Sequence, residues 1–370
     1  MLPSRSTVGW RGACVIVACV ALAPAVSAQP DQGAVLDRLG EVRRETGAPG
    51  VMAAVAVEGE VVFAGGVGWA ELENQVPASG VTVHNIGSVS KVMTTVAVMQ
   101  LVEQEQLHFE DRLQRYVPAL PDSVAAITLR HVLTHTSGLR PTAGREKVES
   151  LDELVDVIPR HTDASLLFSP GALWSYSPHA FNLLQVVIES VSDVDFEHYM
   201  QVNVWAPAGM GRTSFDVPSR IVPRRGHGYT RDKTGTRINS PRLDLVFRSA
   251  AEGMLSTVQD LVRLAVAINA GVLLKAETVA RMHRSQLDPI RVFAADGSAP
   301  ERPNGQAIGW WIDTDGVGRT WLYHSGKVNG VGSVLINYPD ERLVVALIAN
   351  ILPFDAHEAG QSIAHMYLED

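Results

Sequence analysis

The apolar residues of this chain change period several times, and each change marks an element. Ala34 to Thr46 spaces its apolar positions as an amphipathic helix, stopped by the turn-forming run GAPG. Two short β-prone runs follow, VMAAVAV from Val51 and VVFAGGVGWA from Val61, around the turn EGE. That is the pattern of a β-hairpin. In NIGSVSKVMTTVAVMQL, from Asn85 to Leu101, the period lengthens: Val89, Val92, Met93 and Val96 fall at i, i+3, i+4 and i+7, one helical stripe. Helical and turn-rich sequence continues to about Gly253, clearest at Phe181 to Val191 and again at Thr257 to Ala270. Strand patterns return in TWLYHSG, VGSVLINYP and RLVVALIANIL, and a last helix is expected near His357 to Leu368. Residues 216–245 and 286–307 are dense in proline, glycine and charge and read as long surface loops.

Strands, then helices, then strands, then a helix define an α+β class. The simplest packing joins the early hairpin to the late strands in one antiparallel sheet, covered by the terminal helices. The expected organisation is one catalytic domain over 29–370, with an α/β lobe at about 29–87 and 254–370 and a helical lobe at about 88–253. A site belongs in the cleft between such lobes.

Composition narrows the partners. The 370 residues are 46% hydrophobic and 19% charged, with net charge −9 and no basic run. Nucleic acid is therefore not an expected partner. Arg5 and Arg11, an apolar run from Ala13 to Ala23, and small residues at Val26 and Ala28 read as an export signal over 1–28, cut after Ala28. The run is too short for a stable transmembrane anchor. Both cysteines, Cys14 and Cys19, lie inside that segment, so the mature chain would have no disulfide, thiol nucleophile or cysteine-bound metal. IVAC at Ile16 to Cys19 offers an alternative, lipid attachment at Cys19, although the apolar run continues past it. The expected location is periplasmic or secreted.

The chemistry starts with Lys91, one turn after Ser88 on the same face of the helix start. Gly87 permits a tight turn into the helix. The N–H of Ser88 has no intrahelical partner and can receive negative charge from a substrate oxygen. The positive end of the helix dipole and burial both disfavour a charged Lys91. A neutral lysine can take the serine proton, which makes Ser88 a nucleophile. Ser-x-x-Lys alone means little, because it arises by chance about once or twice in a chain of this size. Its companions matter. LWSYSPHAFNLL places Tyr176 before an apolar helix, and WLYHSGKVNGVGSVLINYP places His324-Ser325-Gly326 near a strand end. Gly326 lets a substrate backbone approach the strand edge, and the N–H of Lys327 is a second candidate oxyanion donor.

Ser88-x-x-Lys91, Tyr176 and His324-x-Gly326 resemble the three motifs of the serine β-lactamase and DD-peptidase superfamily. The flanks IGSVSK, ITLRHVLTHTSGL, FSPGALWSYS, APAGMGRTSF, EGMLSTVQDLVRLAVAI and NYPDERLVVALIAN resemble its class C β-lactamase-related branch. Within that branch the chain looks most like the mitochondrial β-lactamase-like serine proteases and their bacterial relatives. The resemblance runs from about Gly47 to Asn350. It implies an acyl-enzyme on Ser88, proton transfer by Lys91 and Tyr176, and an oxyanion held by the N–H groups of Ser88 and Lys327. It also places His324 where many relatives carry a lysine, to bridge to Tyr176 or to a substrate carboxylate. No cofactor is implied.

The departures bear on substrate. The second motif, usually Tyr-x-Asn, is Tyr176-Ser177-Pro178 here, and proline offers neither a side-chain donor nor an N–H. Efficient β-lactam hydrolysis is therefore not the expected activity; a small-molecule or peptide substrate cleaved at an amide or ester is. His179 is a candidate substitute for the missing polar group or a first-turn helix residue. Glu252 replaces a frequent glycine and either lines the cleft or faces solvent. Lys327 is larger than the glycine common there and either attracts anionic substrates or narrows the entrance. His131 and His135 at i, i+4 are a metal spacing, but no glutamate follows His131 and the stretch is structural in the resembling families. The alternative reading is a non-catalytic or very slow penicillin-binding scaffold.

Overall fold

The computed structural model describes residues 30–139, 153, 166–287, 290–293 and 304–368. The expected export signal over 1–28 and its Cys19 alternative lie outside the described residues, as does part of the 286–307 loop.

Helix α1 (Gln32–Thr46) leads into the hairpin β1 (Gly50–Val57) and β2 (Glu60–Glu71), then the short strands β3 (Val76–Pro77) and β4 (His84–Asn85). A 3-10 turn at Gly87–Val89 precedes α2 (Ser90–Glu103), so Ser88 sits on that tighter turn and not within the α-helix proper. Helices α3 (Leu129–Leu133), α4 (Pro178–Ser192) and α5 (Phe196–Met200) follow, then β5 (Ser214–Phe215), the hairpin β6 (Tyr229–Arg231) and β7 (Arg237–Asn239), and β8 (Met254–Ser256). The chain closes with α6 (Val258–Asn269), α7 (Ala276–His283), β9 (Gly305–Gln306), β10 (Trp311–Thr314), β11 (Thr320–Val328), β12 (Val331–Tyr338), β13 (Leu343–Ala349), β14 (Ile351–Leu352) and α8 (Ala356–Ala364).

The main sheet is antiparallel and eight-stranded, in the order β3-β2-β1-β13-β12-β11-β10-β9. Strand β1 pairs with β13 from Val51 opposite Ala349 to Val57 opposite Leu343, which joins the two ends of the chain in the sheet centre. All of β12 and β13 is buried, because both faces are covered. Val51, Ala53, Val55, Val345 and Leu347 face one core with Val35, Leu39 and Val42 of α1 and Ile363 of α8. Met52, Ala54, Ala346 and Ile348 face the opposite core with Leu261 and Leu264 of α6. The mixed α+β architecture is the one the sequence implies.

Helix α2 differs from the one-stripe pattern: every residue from Ser90 to Met99 is buried, because helices and sheet surround it. Its start is positioned by non-local contacts. Strand β8 pairs with β4, Asn85 opposite Leu255, and so carries residues 250–252 alongside the Ser88 turn. On the other side the β11–β12 ribbon presses against the same turn, where Ser333 Oγ donates to the Ile86 carbonyl at 2.7 Å. The loop expected at 216–245 contains the β6–β7 hairpin, which is tied to the chain end by β14.

Two glycines permit this contact. Gly87 has φ +51°, and a Cβ there would lie 2.8 Å from the Lys327 nitrogen. A Cβ on Gly326 would lie 2.1 Å from the Ile86 carbonyl oxygen. Gly326→Ala must therefore push β11 away from the Ser88 turn, costing about 1–3 kcal/mol as other overpacking does. Urea unfolding should show that loss, and unchanged stability would mean the strand is not packed this closely.

Candidate active site

The 3-10 turn presents the half-buried Ser88 towards the β11 edge. Lys91 Nζ is hydrogen-bonded to Ser88 Oγ at 3.0 Å and donates to the Ala251 carbonyl at 2.8 Å. Its residue is 0% exposed, and no carboxylate among the described residues pairs with it. Burial pushes the amine down from 10.5 to about 7, against a weaker upward pull from Glu252. Its surroundings are aromatic as well: Nζ is 5.0 Å from the centre of the Tyr176 ring and 5.7 Å from that of Phe181.

Ser177 caps α4 by accepting from the Ala180 N–H, and Pro178 fills the first helical turn, where a missing N–H costs nothing. This cap fixes Tyr176 just outside the helix. The phenol hydroxyl is buried without an aligned hydrogen-bond partner. Burial raises its pKa, while the nearby Ser88 hydroxyl opposes the rise. Under the phenol lies His135, with ring centres 4.5 Å apart, and His135 Nδ1 accepts the Ser177 N–H at 3.3 Å. His131 instead accepts the Thr128 N–H at 3.1 Å and belongs to the cap of α3. The i, i+4 histidines therefore do separate structural work.

His324 lies in mid-strand, stacked on Trp311 at 4.7 Å. One ring nitrogen, Nδ1, is 2.8 Å from the Ser325 carbonyl, so it carries the proton and donates. Nε2 is then a buried lone pair without a partner, 6.3 Å separating the His324 and Tyr176 ring centres. Burial, with Lys91 nearby, pushes the imidazole down to about 3. It is neutral, so it presents an acceptor here and not the cation that draws a carboxylate.

Strand β10 pairs with β11 only as far as Trp311 opposite Tyr323, leaving the edge of residues 324–328 to face the Ser88 turn. Gly326 is buried there and the Lys327 side chain is exposed. Glu252 is ion-paired with Arg248 at 2.9 Å and is mostly buried, close enough to act on Lys91 and Tyr176. Pro178 and His179 are half-buried at the start of α4. Sequence reasoning missed Asn182, 1% exposed and one turn beyond Pro178. Its Oδ1 accepts the Ala251 N–H at 3.1 Å, which holds the peptide whose carbonyl receives Lys91.

An antiparallel sheet against packed helices, with a serine hydroxyl bonded to a buried lysine beside it, is the arrangement of serine β-lactamases and penicillin-binding proteins. The chain belongs to the Beta-lactamase family, whose model matches residues 33–367. It is 24% identical to the mitochondrial serine beta-lactamase-like protein LACTB of Bos taurus, over 86% of this chain and 73% of that one. It is 26% identical to Penicillin-binding protein 4* of Bacillus subtilis (strain 168), over 79% of this chain and 66% of the relative. The octameric penicillin-binding protein homologue from Pyrococcus abyssi superposes with TM-score 0.78 at 24% identity, over 91% and 77% of the two chains. The fold is thus that of a serine hydrolase family. No helix among the described residues is long and apolar enough to cross a membrane.

The lysine carries a stability signature. Its pKa is lowered in the fold, so the unfolded chain binds more protons between about pH 7 and 10.5, and native stability rises with pH across that window. Lys91→Met should therefore be more stable than the native chain at pH 7, by a margin that shrinks towards pH 10. Denaturant melts at both values test this, and a margin independent of pH would contradict it.

Proposed function

We propose that this chain is an exported serine hydrolase that cleaves an amide or ester bond through an acyl-enzyme on Ser88. The observation that carries the reading is the 3.0 Å contact between Ser88 Oγ and an amine held at about 7. At neutral pH much of Lys91 is uncharged and can accept the hydroxyl proton as Ser88 attacks the carbonyl carbon. The oxyanion is received by the N–H groups of Ser88 and Lys327, which adjoin the glycines Gly87 and Gly326 where turn and strand approach closely. The leaving amine or alcohol takes a proton from the Lys91–Tyr176 pair. Water then attacks the Ser88 ester, giving up its proton to the same pair, which returns it to Ser88 Oγ as the ester C–O bond breaks and the acid leaves.

Each departure from the family motifs bears on selectivity. His324 Nε2 accepts a hydrogen bond from a substrate N–H or from Tyr176. Pro178 contributes no amide donor, which disfavours β-lactams relative to peptides and esters. Charge preference falls to Glu252 and Lys327, with His179 at the rim. Asn182 is a positioning residue: it fixes the 250–252 peptide so that Ala251 receives Lys91 and keeps Nζ aimed at Ser88. The absent amide at Pro178 also favours the second reading, a scaffold that acylates slowly. Export rests on the N-terminal signal pattern, with removal after Ala28 and a periplasmic or secreted product.

A fluorophosphonate probe should label Ser88, and Ser88→Ala should abolish the labelling. The labelling rate should rise with pH through an inflection near 7, as Lys91 loses its proton. Undiminished labelling of the alanine variant would overturn the assignment. Asn182→Leu should slow labelling about tenfold and move the inflection, as expected for one lost buried hydrogen bond. A slower rate with an unmoved inflection would give Asn182 a merely structural role. Comparison of native and Ser88→Ala protein on peptide, ester and β-lactam panels separates the hydrolase from the slow scaffold.

A further inference from the structure

A second cavity, of about 460 Å³, lies beyond the β11–β12 turn, and neither Ser88, Lys91, Tyr176 nor His324 lines it. That volume suits a small ligand. The two kinds of charge on its walls come from different elements.

At one end are Glu71 and Glu73, whose carboxylates lie within 4.8 Å of each other and of His227. Hydrogen bonds from Asn239 at 2.7 Å and Tyr229 at 2.8 Å hold Glu73 in place and lower its pKa, so it stays ionised. Other walls carry Arg225, Arg242 and Asn329. Arg225 Nη2 and Arg242 Nη2 both bond Asp216 Oδ1, at 2.5 and 3.5 Å. Two guanidinium groups against one carboxylate leave this group net positive.

Donors here are under-used. Arg225 Nη1 and Asn329 Nδ2 are buried and have no hydrogen-bond partner among the described residues. His84, 1% exposed, also lines the cavity with Nε2 unpartnered. Buried polar groups are normally satisfied, and unused donors on a cavity wall mark where an acceptor belongs. The cavity also touches the nucleophile turn: Asp216 Oδ2 accepts from Asn85 Nδ2 at 3.2 Å, and Asn85 Oδ1 accepts the Gly87 N–H at 2.8 Å.

We propose that this cavity is a ligand site separate from the catalytic cleft, taking a small zwitterion of amino-acid or dipeptide size. Its ammonium lies at Glu71 and Glu73, and its carboxylate takes the free donors of Arg225 and Asn329 with Arg242 alongside. The two carboxylates exclude simple anions, and the guanidinium groups exclude simple cations.

Titration calorimetry with glycylglycine on the full protein, in buffer containing a chelator, tests this. Binding in the millimolar range or tighter is expected, and N-acetylglycylglycine and glycylglycinamide should bind at least about tenfold more weakly, each lacking one charge. Glu73→Gln and the half-exposed Arg242→Gln should each weaken glycylglycine about tenfold while melting like the native protein. Ser88→Ala should bind as the native chain does, so the result stands apart from the catalytic reading. Binding lost in Ser88→Ala would put the dipeptide in the catalytic cleft and overturn the proposal. Absent binding, or equal binding of the capped compounds, would overturn it as well.

Discussion

An amine forced into an apolar seam governs this molecule. Lys91 is wholly buried, and among the described residues no carboxylate neutralises it. A charged lysine there would pay a heavy desolvation cost, so the proton is held loosely. The rest of the site is arranged around that fact. Ala251 supplies a carbonyl that receives Nζ, Tyr176 and Phe181 flank it, and Ser88 places a hydroxyl within reach. The nearest influential carboxylate, Glu252, is already occupied by Arg248 and raises the amine only weakly.

The fold produces this seam by bringing distant segments together. Helix α2 supplies Lys91, but the peptide that holds it arrives through β8, about 160 residues later in the chain. The wall opposite Ser88 is a strand edge from the far end of the sequence, which approaches only because Gly87 and Gly326 carry no Cβ. Stability and chemistry are therefore in tension. A buried amine, a buried phenol and a buried imidazole surround Ser88, and among the described residues the phenol hydroxyl and the imidazole Nε2 have no hydrogen-bond partner.

Local patterns in the sequence carried the large elements. The hairpin, α2, α4, α6 and the three late strands have clear periods, and their apolar faces are long enough to announce a buried sheet. Ser88, Lys91, Tyr176 and His324 stood out because together, and in that order, they resemble the three motifs of the superfamily, and the structure brings these four together. What stayed hidden depends on pairings without a period. Strands β4 and β8 have two and three residues, so nothing in the sequence shows that they place Ala251 against Lys91. Asn182 reads as one more polar helix position until its Ala251 partner is known. Trp311 and His135, which hold His324 and Tyr176, are likewise ordinary until the rings meet. The charge of His324 was not legible either, since burial and the nearby Lys91 keep it neutral against an upward pull from its bond to Ser325, which leaves Nε2 as the acceptor.

The central claim is a property of one nitrogen. Carbon-13 NMR of protein labelled at lysine Cε, with the Lys91 signal assigned by its disappearance in Lys91→Met, would follow that nitrogen directly through a pH titration. The account predicts a single lysine signal titrating near pH 7. A Lys91 signal that moves only above about pH 10, like those of exposed lysines, would contradict it.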